Sequence, residues 1–373
     1  MKFEKWTYNK PLSMTGFGGG AGSLSRAGAG GANPFDTMSN FPGATRVGTT
    51  DVIYYSSAGT TYSFTDPNGG ASKFRFTAVG GGGATTGDGI GGWYGVMGAG
   101  GGGAGRGEIQ TAQTLGITVG EGGGSPWAMG TSGSSFGSWL TASLTQNHNQ
   151  FYRIQGRGGV SYVQAAANSS GHWLIYGTGG MPGIYGYPSN LSPLPSTGYS
   201  GVFNGNRTYW PNGGKGATSS GGGVTVTNPV TEYGGTGGCA AHKDSGTALP
   251  YGRHPLDGLN SLPNQSEWVA TAGENTTYAG PGGGGGSDGN TNYNGYGAAG
   301  GAGGTASGLN SLLSGSGITS AGGNGSNYSS QGSSATVGEA GGGMGGFGGD
   351  TADTWNHVNF AGNGIVIVEF LGF

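Results

Sequence analysis

Apolar and polar residues alternate in only a few short stretches of this chain. The clearest is Lys73–Val79, where Phe74, Phe76 and Ala78 share one side and Lys73, Arg75 and Thr77 the other. That period of two predicts a half-buried strand, and it runs straight into Gly80–Gly83. Val52–Tyr55 and Thr61–Thr65 read as shorter strands, the second followed by the turn signal Asp66-Pro67-Asn68-Gly69-Gly70. Ile117 and Val119 alternate with Thr118, so Leu115–Gly120 is another candidate, as are Glu108–Thr111 and Val224–Thr227. The strongest run is Gly364–Phe370, whose unbroken Ile-Val-Ile-Val predicts a strand covered on both faces, central in a sheet or at an interface. The terminal strands are expected to pair and close one unit.

Between these runs the pattern vanishes into glycine. Ninety-four of 373 residues are Gly. A glycine has no side chain to bury and loses more backbone entropy on folding than any other residue. The compensating source is the backbone, through dense N–H to C=O pairing between closely packed extended segments. Interior glycine costs a helix about 1 kcal/mol relative to Ala, so almost no helix is expected. The predicted fold is therefore mainly β and irregular: a small β-sandwich of terminal strands, glycine-rich segments of polyproline-II type running out and back as rods in one layer, and long loops. Such a segment turns once every three residues and makes no internal hydrogen bonds. Collagen is a poor match, since glycine is not strictly every third residue.

Only 8% of residues are charged, which alone would fit disorder, but 11% are aromatic (8 Trp, 18 Tyr, 14 Phe), too many for a solvated linker. Residues 1–46 read as an N-terminal arm for attachment or assembly, with Phe3, Trp6 and Tyr8 at its start. Residues 47–373 read as a glycine-rich domain carrying an aromatic, loop-rich insertion at about 125–215. No run nears the roughly 20 apolar residues of a membrane span, and MKFEKWTYNK lacks the apolar core of a secretory signal. The 14 Lys and Arg are scattered, which argues against nucleic acid as a partner. Single Cys239 cannot cross-link the monomer.

Chemistry-bearing motifs are sparse. Gly213–Thr218 superficially matches a phosphate cradle, but a true one needs a preceding strand and a following helix. His148, His172, His242, His254 and His357 do not pair at metal-ligand spacing; Cys239, His242 and Asp244 merely share a loop. Ser287–Gly295 starts like a calcium loop but lacks its closing Glu and its sixth-position Gly, so a turn is expected. No catalytic residue, cofactor or metal is predicted. Tyr185, Tyr187, Tyr199, Tyr209, Trp210, Tyr251 and Trp268 lie in Pro/Asn/Gly-rich loops. Such rings either stack on sugars at a binding surface or plug small cores between glycine rods; they are the candidate receptor-binding set.

Four stretches, Thr61–Thr65, Ala78–Gly83, Leu115–Gly123 and Gly362–Phe370, resemble the glycine-rich domain of tailed-bacteriophage tail fibres and other virion appendages. There a strand enters a glycine block, an ITVG strand follows and a GxGIVIV strand closes the domain. The resemblance covers residues 50–373 in outline and is specific at the two ends. It implies a non-enzymatic virion fibre or adhesin component, made in the host cytoplasm. Its expected state is a homotrimer, held to other virion proteins through the arm and binding a bacterial surface polysaccharide or outer-membrane protein, without membrane insertion. The alternatives are a capsid-decorating or other structural virion protein without a receptor role, and a glycine-rich ice-binding protein. The last predicts regular Thr or Ala arrays, which the irregular loops do not offer.

Overall fold

Among the described residues there are thirteen strands, most of them where β-branched and aromatic residues interrupt the glycine. In chain order they are β1 (Thr45–Arg46), β2 (Val52–Tyr55), β3 (Thr61–Phe64), β4 (Lys73–Val79), β5 (Thr85–Thr86), β6 (Ala104–Ile109), β7 (Leu115–Thr118), β8 (Ser161–Gln164), β9 (Trp173–Gly177), β10 (Gly183–Ile184), β11 (Gly216–Thr218), β12 (Thr227–Glu232) and β13 (Ile365–Gly372). The computed structural model describes residues 32–86, 98–123, 158–165, 172–181, 183–184, 213–238, 272–284, 302–325, 338–343 and 361–373, all within the compact unit Gly31–Phe373. One short helix among them, α1 (Ser307–Leu312), completes the regular structure.

The chain folds as a mainly β sandwich with almost no helix. A six-stranded sheet in the order β1-β2-β13-β4-β6-β12 faces a five-stranded sheet in the order β11-β9-β8-β7-β3, and β5 and β10 form a parallel pair apart from both. As its composition predicts, β13 is central: it pairs antiparallel with β2 (Val368 opposite Ile53) and with β4 (Val368 opposite Phe76). The terminal strands thus close the unit.

Alternation sorts the side chains of the first sheet. Phe74, Phe76, Ala78, Val366 and Val368 point into the sandwich, against Phe64, Leu115, Ile117, Val163 and Ile175 from the second sheet. Phe64 sits edge-on to Phe74 and Phe76, at 5.0 and 5.2 Å between ring centroids, a favoured aromatic geometry. On the other face, Val79, Ala104, Ile365 and Ile367 pack against Leu309 within α1, Leu313 just after it, and Ala279.

Several expectations shift. Residues assigned to the arm enter the sandwich from position 33: the Asn33 side chain accepts from the Phe35 N–H, and Phe35 and Phe41 are buried in the core. Their aromatic bulk outweighs the absence of a strand-length run. The stretch 125–215 contains β8 and β9, both inside the second sheet, so strands are not confined to the two ends. Val224–Thr227 is not a strand: Gly222 and Gly223 take positive φ, Gly221 and Val224 exchange backbone hydrogen bonds across them, and pairing with β6 starts at Thr227.

The glycine segments form a bundle that continues the sandwich, and it is not one layer deep. Gly80, Gly81, Gly82 and Gly83 donate in turn to Gly103, Gly159, Gly362 and Gly100. The first three reach different neighbouring segments, and the fourth returns to the first, as three residues per turn requires. The 98–103 segment is ringed on every side. It donates from Gly98 and Gly101 to Gly238 and Gly235, from Gly100 and Gly103 to Met181 and Thr178, and from Gly102 to Gly341. It accepts from Gly80 and Gly83, from Gly214, and from Gly280 and Gly283. Backbones approach so closely that a Cβ on Gly101 or Gly102 would fall within 3.0 Å of the Gly280 or Gly80 carbonyl. Alanine is admitted where the lattice opens: Ala84, Ala99 and Ala361 bury their methyls together. At the rim, side chains stand in for absent rods. Asn363 Oδ1 accepts from Gly122 N–H, Asn275 Oδ1 from Thr305 N–H, and Glu274 Oε2 from Thr236 N–H.

Candidate functional site

The rods have a sheet end and a free end. At the sheet end they run into strands: Gly80 follows β4, Gly103 precedes β6, Val160 precedes β8 and Gly364 precedes β13. Elsewhere at that end the rods are joined by the turn at Thr276–Ala279, by α1 and by the turn at Glu339–Gly342. The free end is defined by hydrogen-bond register. Gly98 N–H donates to Gly238 O (3.0 Å), Gly238 to Gly283 O (2.7 Å), Gly284 to Gly323 O (2.8 Å) and Gly323 to Gly343 O (2.8 Å). Across the bundle, Gly83 donates to Gly100, Gly100 to Met181, Gly158 to Gly180 and Ala361 to Gly123.

From this level the chain departs and returns repeatedly, by way of 87–97, 124–157, 185–212, 239–271, 285–301, 326–337 and 344–360. Stretches remote in sequence are thereby anchored on one tip. The short stretch 166–171 is different: it joins β8 to β9 at the opposite end of the second sheet.

The candidate receptor-binding residues Tyr185, Tyr187, Tyr199, Tyr209 and Trp210 belong to 185–212, and Tyr251 and Trp268 to 239–271; all seven lie outside the described residues. What the structure fixes is their anchorage. Both rods flanking 185–212 bond to the central 98–103 rod, through Met181 and Gly214, and so does the rod preceding 239–271, through Gly238; the rod following 239–271 bonds instead to Thr236 and Ala302. Phe3, Trp6 and Tyr8 of the arm, Cys239, His148, His242, His254, His357 and the Ser287–Gly295 stretch also lie outside the described residues. The Gly213–Thr218 motif is structural. Gly214 N–H donates to Gly101 O and Lys215 N–H to Thr178 Oγ1, and the chain continues into β11, so these amides are already occupied. His172 Nε2 pairs with Ser219 Oγ at 3.0 Å. Among the described residues no three His, Cys, Asp or Glu side chains group as metal ligands, and no helix is long and apolar enough to cross a membrane.

Two surfaces of the sandwich carry further chemistry. On the outer face of the first sheet, Glu108 is 3% exposed and accepts from Lys73 Nζ (2.6 Å), Arg75 Nη2 (2.5 Å) and Asn228 Nδ2 (2.8 Å). Burial pushes its carboxyl pKa up, but the three hydrogen bonds outweigh burial and hold it at about 2. Beside it, Arg106 pairs with Glu369 (2.7 Å) and lies 3.9 Å from the Tyr278 ring centroid, a cation–π contact. Glu232 accepts from three successive backbone N–H groups, those of Thr277, Tyr278 and Ala279. It thereby fastens the base of the 280–284 rod. These groups pair with one another and act as a clasp, although Arg106 Nε has no hydrogen-bond partner among the described residues.

The outer face of the second sheet carries Tyr162, Trp173 and Tyr176, each half-buried, as a cluster separate from the core. None was singled out in the sequence. Their signal was Tyr162 and Tyr176 standing next to buried Val163 and Ile175, visible only once β8 and β9 are recognised as strands. No family model matches the chain, and no curated protein matches it.

Proposed function

We propose that this chain is a non-enzymatic bacteriophage virion component, a tail-fibre or adhesin-like protein whose glycine bundle presents its tip connections to the host cell surface. The observation that carries this reading is the common departure of the connections from one end of a glycine-rich bundle. Loops on a rigid scaffold are where binding concentrates, and a bundle held by lattice-like backbone pairing is such a scaffold. Tyr185, Tyr187, Tyr199, Tyr209, Trp210, Tyr251 and Trp268 are the proposed receptor-contacting residues, and a surface polysaccharide or an outer-membrane protein the proposed receptor.

The arm, with Phe3, Trp6 and Tyr8, is proposed to hold the chain to other virion proteins. A homotrimer is the proposed state; burial of β13 is no argument for it, because the second sheet covers one face of that strand and Leu309, Leu313 and Ala279 the other within one protomer. The test is adsorption of the purified protein to host bacteria. The wild type is expected to bind, and the Tyr209→Ala/Trp210→Ala double variant to bind several-fold more weakly with an unchanged melting temperature. No adsorption of the wild type leaves the capsid-decorating reading in its place; unchanged adsorption of the double variant removes those two residues from the site.

A further inference from the structure

We propose that the outer face of the second sheet is a binding surface for an uncharged polysaccharide, with Tyr162, Trp173 and Tyr176 as its stacking residues. The proposal deepens the receptor-binding reading and rests on it only for the biological source of the glycan.

The strand register builds the surface. Thr61 stands opposite Thr118, Thr118 opposite Tyr162, Tyr162 opposite Tyr176, and Tyr176 opposite Ala217. In an antiparallel sheet, directly opposed residues lie on the same face. One row therefore crosses β3, β7, β8, β9 and β11. Thr118 in this row is only 4% exposed, so its open part runs from Tyr162 across Tyr176 to Ala217, two interstrand gaps of about 4.8 Å that span about 10 Å, longer than a single sugar ring. Trp173 stacks on Tyr162 at 4.6 Å and 16°, and meets Tyr176 at 5.4 Å and 60°. The three rings pack over buried Val160, apart from the sandwich interior, while each keeps part of its surface open to solvent. Rings that brace one another lose little conformational freedom on binding.

The polar groups beside the rings are hydroxyl and imidazole. Thr61 and buried Thr118 bond to each other at 2.9 Å, so the polar groups open beside the rings are His172 Nε2 and Ser219 Oγ, paired next to Trp173. Hydroxyls both donate and accept, as sugar hydroxyls do, and aromatic faces take the apolar faces of sugar rings.

Charge decides the class of glycan. The five strands of this sheet contain no Asp, Glu, Lys or Arg, whereas the outer face of the first sheet carries Lys73, Arg75, Arg106, Glu108 and Glu369. An acidic polysaccharide would meet one flanking cation among the described residues, Lys215, two residues before Ala217 and so on the same face by strand alternation, and would have to desolvate its remaining carboxylates unpaired, which is unfavourable. A neutral one meets no such penalty.

The test is affinity electrophoresis of the full chain in gels containing dextran, galactan, mannan or, as the acidic counterpart, alginate. At least one neutral polymer is expected to retard the wild type, alginate is not, and Trp173→Ala should weaken the retardation about tenfold. Should Trp173→Ala lose its thermal transition, Tyr176→Ala, at the outer side of the cluster, takes its place with the same expectation. Absence of retardation by all three neutral polymers, equal retardation by alginate, or wild-type retardation of a folded variant would each overturn the proposal. Purified polysaccharide tests this surface, whereas adsorption of the tip variant to cells tests the tip, so the two readings fail separately.

Discussion

Replacing Gly102 with alanine places a methyl group where the Gly80 carbonyl already stands, closer than 3.0 Å in the native arrangement. The obstacle is backbone, so no side chain can swing away, and the 80–83 rod must separate from the 98–103 rod. That separation breaks the bonds Gly80 N–H to Gly103 O (3.0 Å) and Gly83 N–H to Gly100 O (2.9 Å), both between buried residues. A buried backbone group left unpaired costs about 1–3 kcal/mol, so the two bonds together cost about 2–6 kcal/mol, and overpacking adds about 1–3 kcal/mol. The loss of unfolded-state entropy offsets about 0.4–1 kcal/mol. The net expectation is a destabilisation of about 2–9 kcal/mol, read from urea or thermal unfolding. Gly315→Ala is the control: it has open space around it and φ +86°, so only left-handed strain of about 1–2 kcal/mol applies. If Gly102→Ala unfolds within 1 kcal/mol of the wild type, close backbone packing is not what holds the bundle together.

Two further outcomes follow from the sandwich. The Tyr55 hydroxyl is buried and has no hydrogen-bond partner among the described residues, and burial, with Tyr62 adjacent, raises its pKa above the ordinary range; Tyr55→Phe is therefore expected to leave stability unchanged or raise it by about 1 kcal/mol in chemical denaturation. Glu108 has a carboxyl pKa held at about 2 against an ordinary 4.5, so its contribution is fully present above about pH 5 and is lost as the pH falls through about 2. Discounted for solvent around half-exposed Lys73, that contribution is about 1–2 kcal/mol. Glu108→Gln should lower stability by that amount at pH 7 and flatten the acid limb of the pH–stability curve, whereas an unchanged acid limb would show that the clasp contributes nothing.

Much of the sandwich was legible because strand chemistry is local. Phe74, Phe76 and Ala78 announce their face by alternation, and Ile365–Val368 announces two-sided burial by lacking it. The arm boundary was not legible, because Phe35 and Phe41 reach the core from two short 3-10 turns, which carry no period to read. Nor was the role of β8 and β9: four- and five-residue strands inside an aromatic stretch look like loop until a sheet receives them. The tip anchorage of the aromatic connections has no sequence signature at all.

By itself the sequence determined that backbone pairing, rather than side-chain burial, must hold its glycine segments together, since glycine leaves nothing else to pair. It also determined that Lys73–Val79 and the run from Ile365 become strands, because their preference for a pleated surface buried on one face or both is written in their residues. Only the tertiary structure decided which glycine bonds to which, how deep the bundle is and which stretches share its free end. One glycine is chemically the same as the next, so their order along the chain carries no address; an address exists only when strands from both ends close the sandwich and set the register of every rod that leaves it.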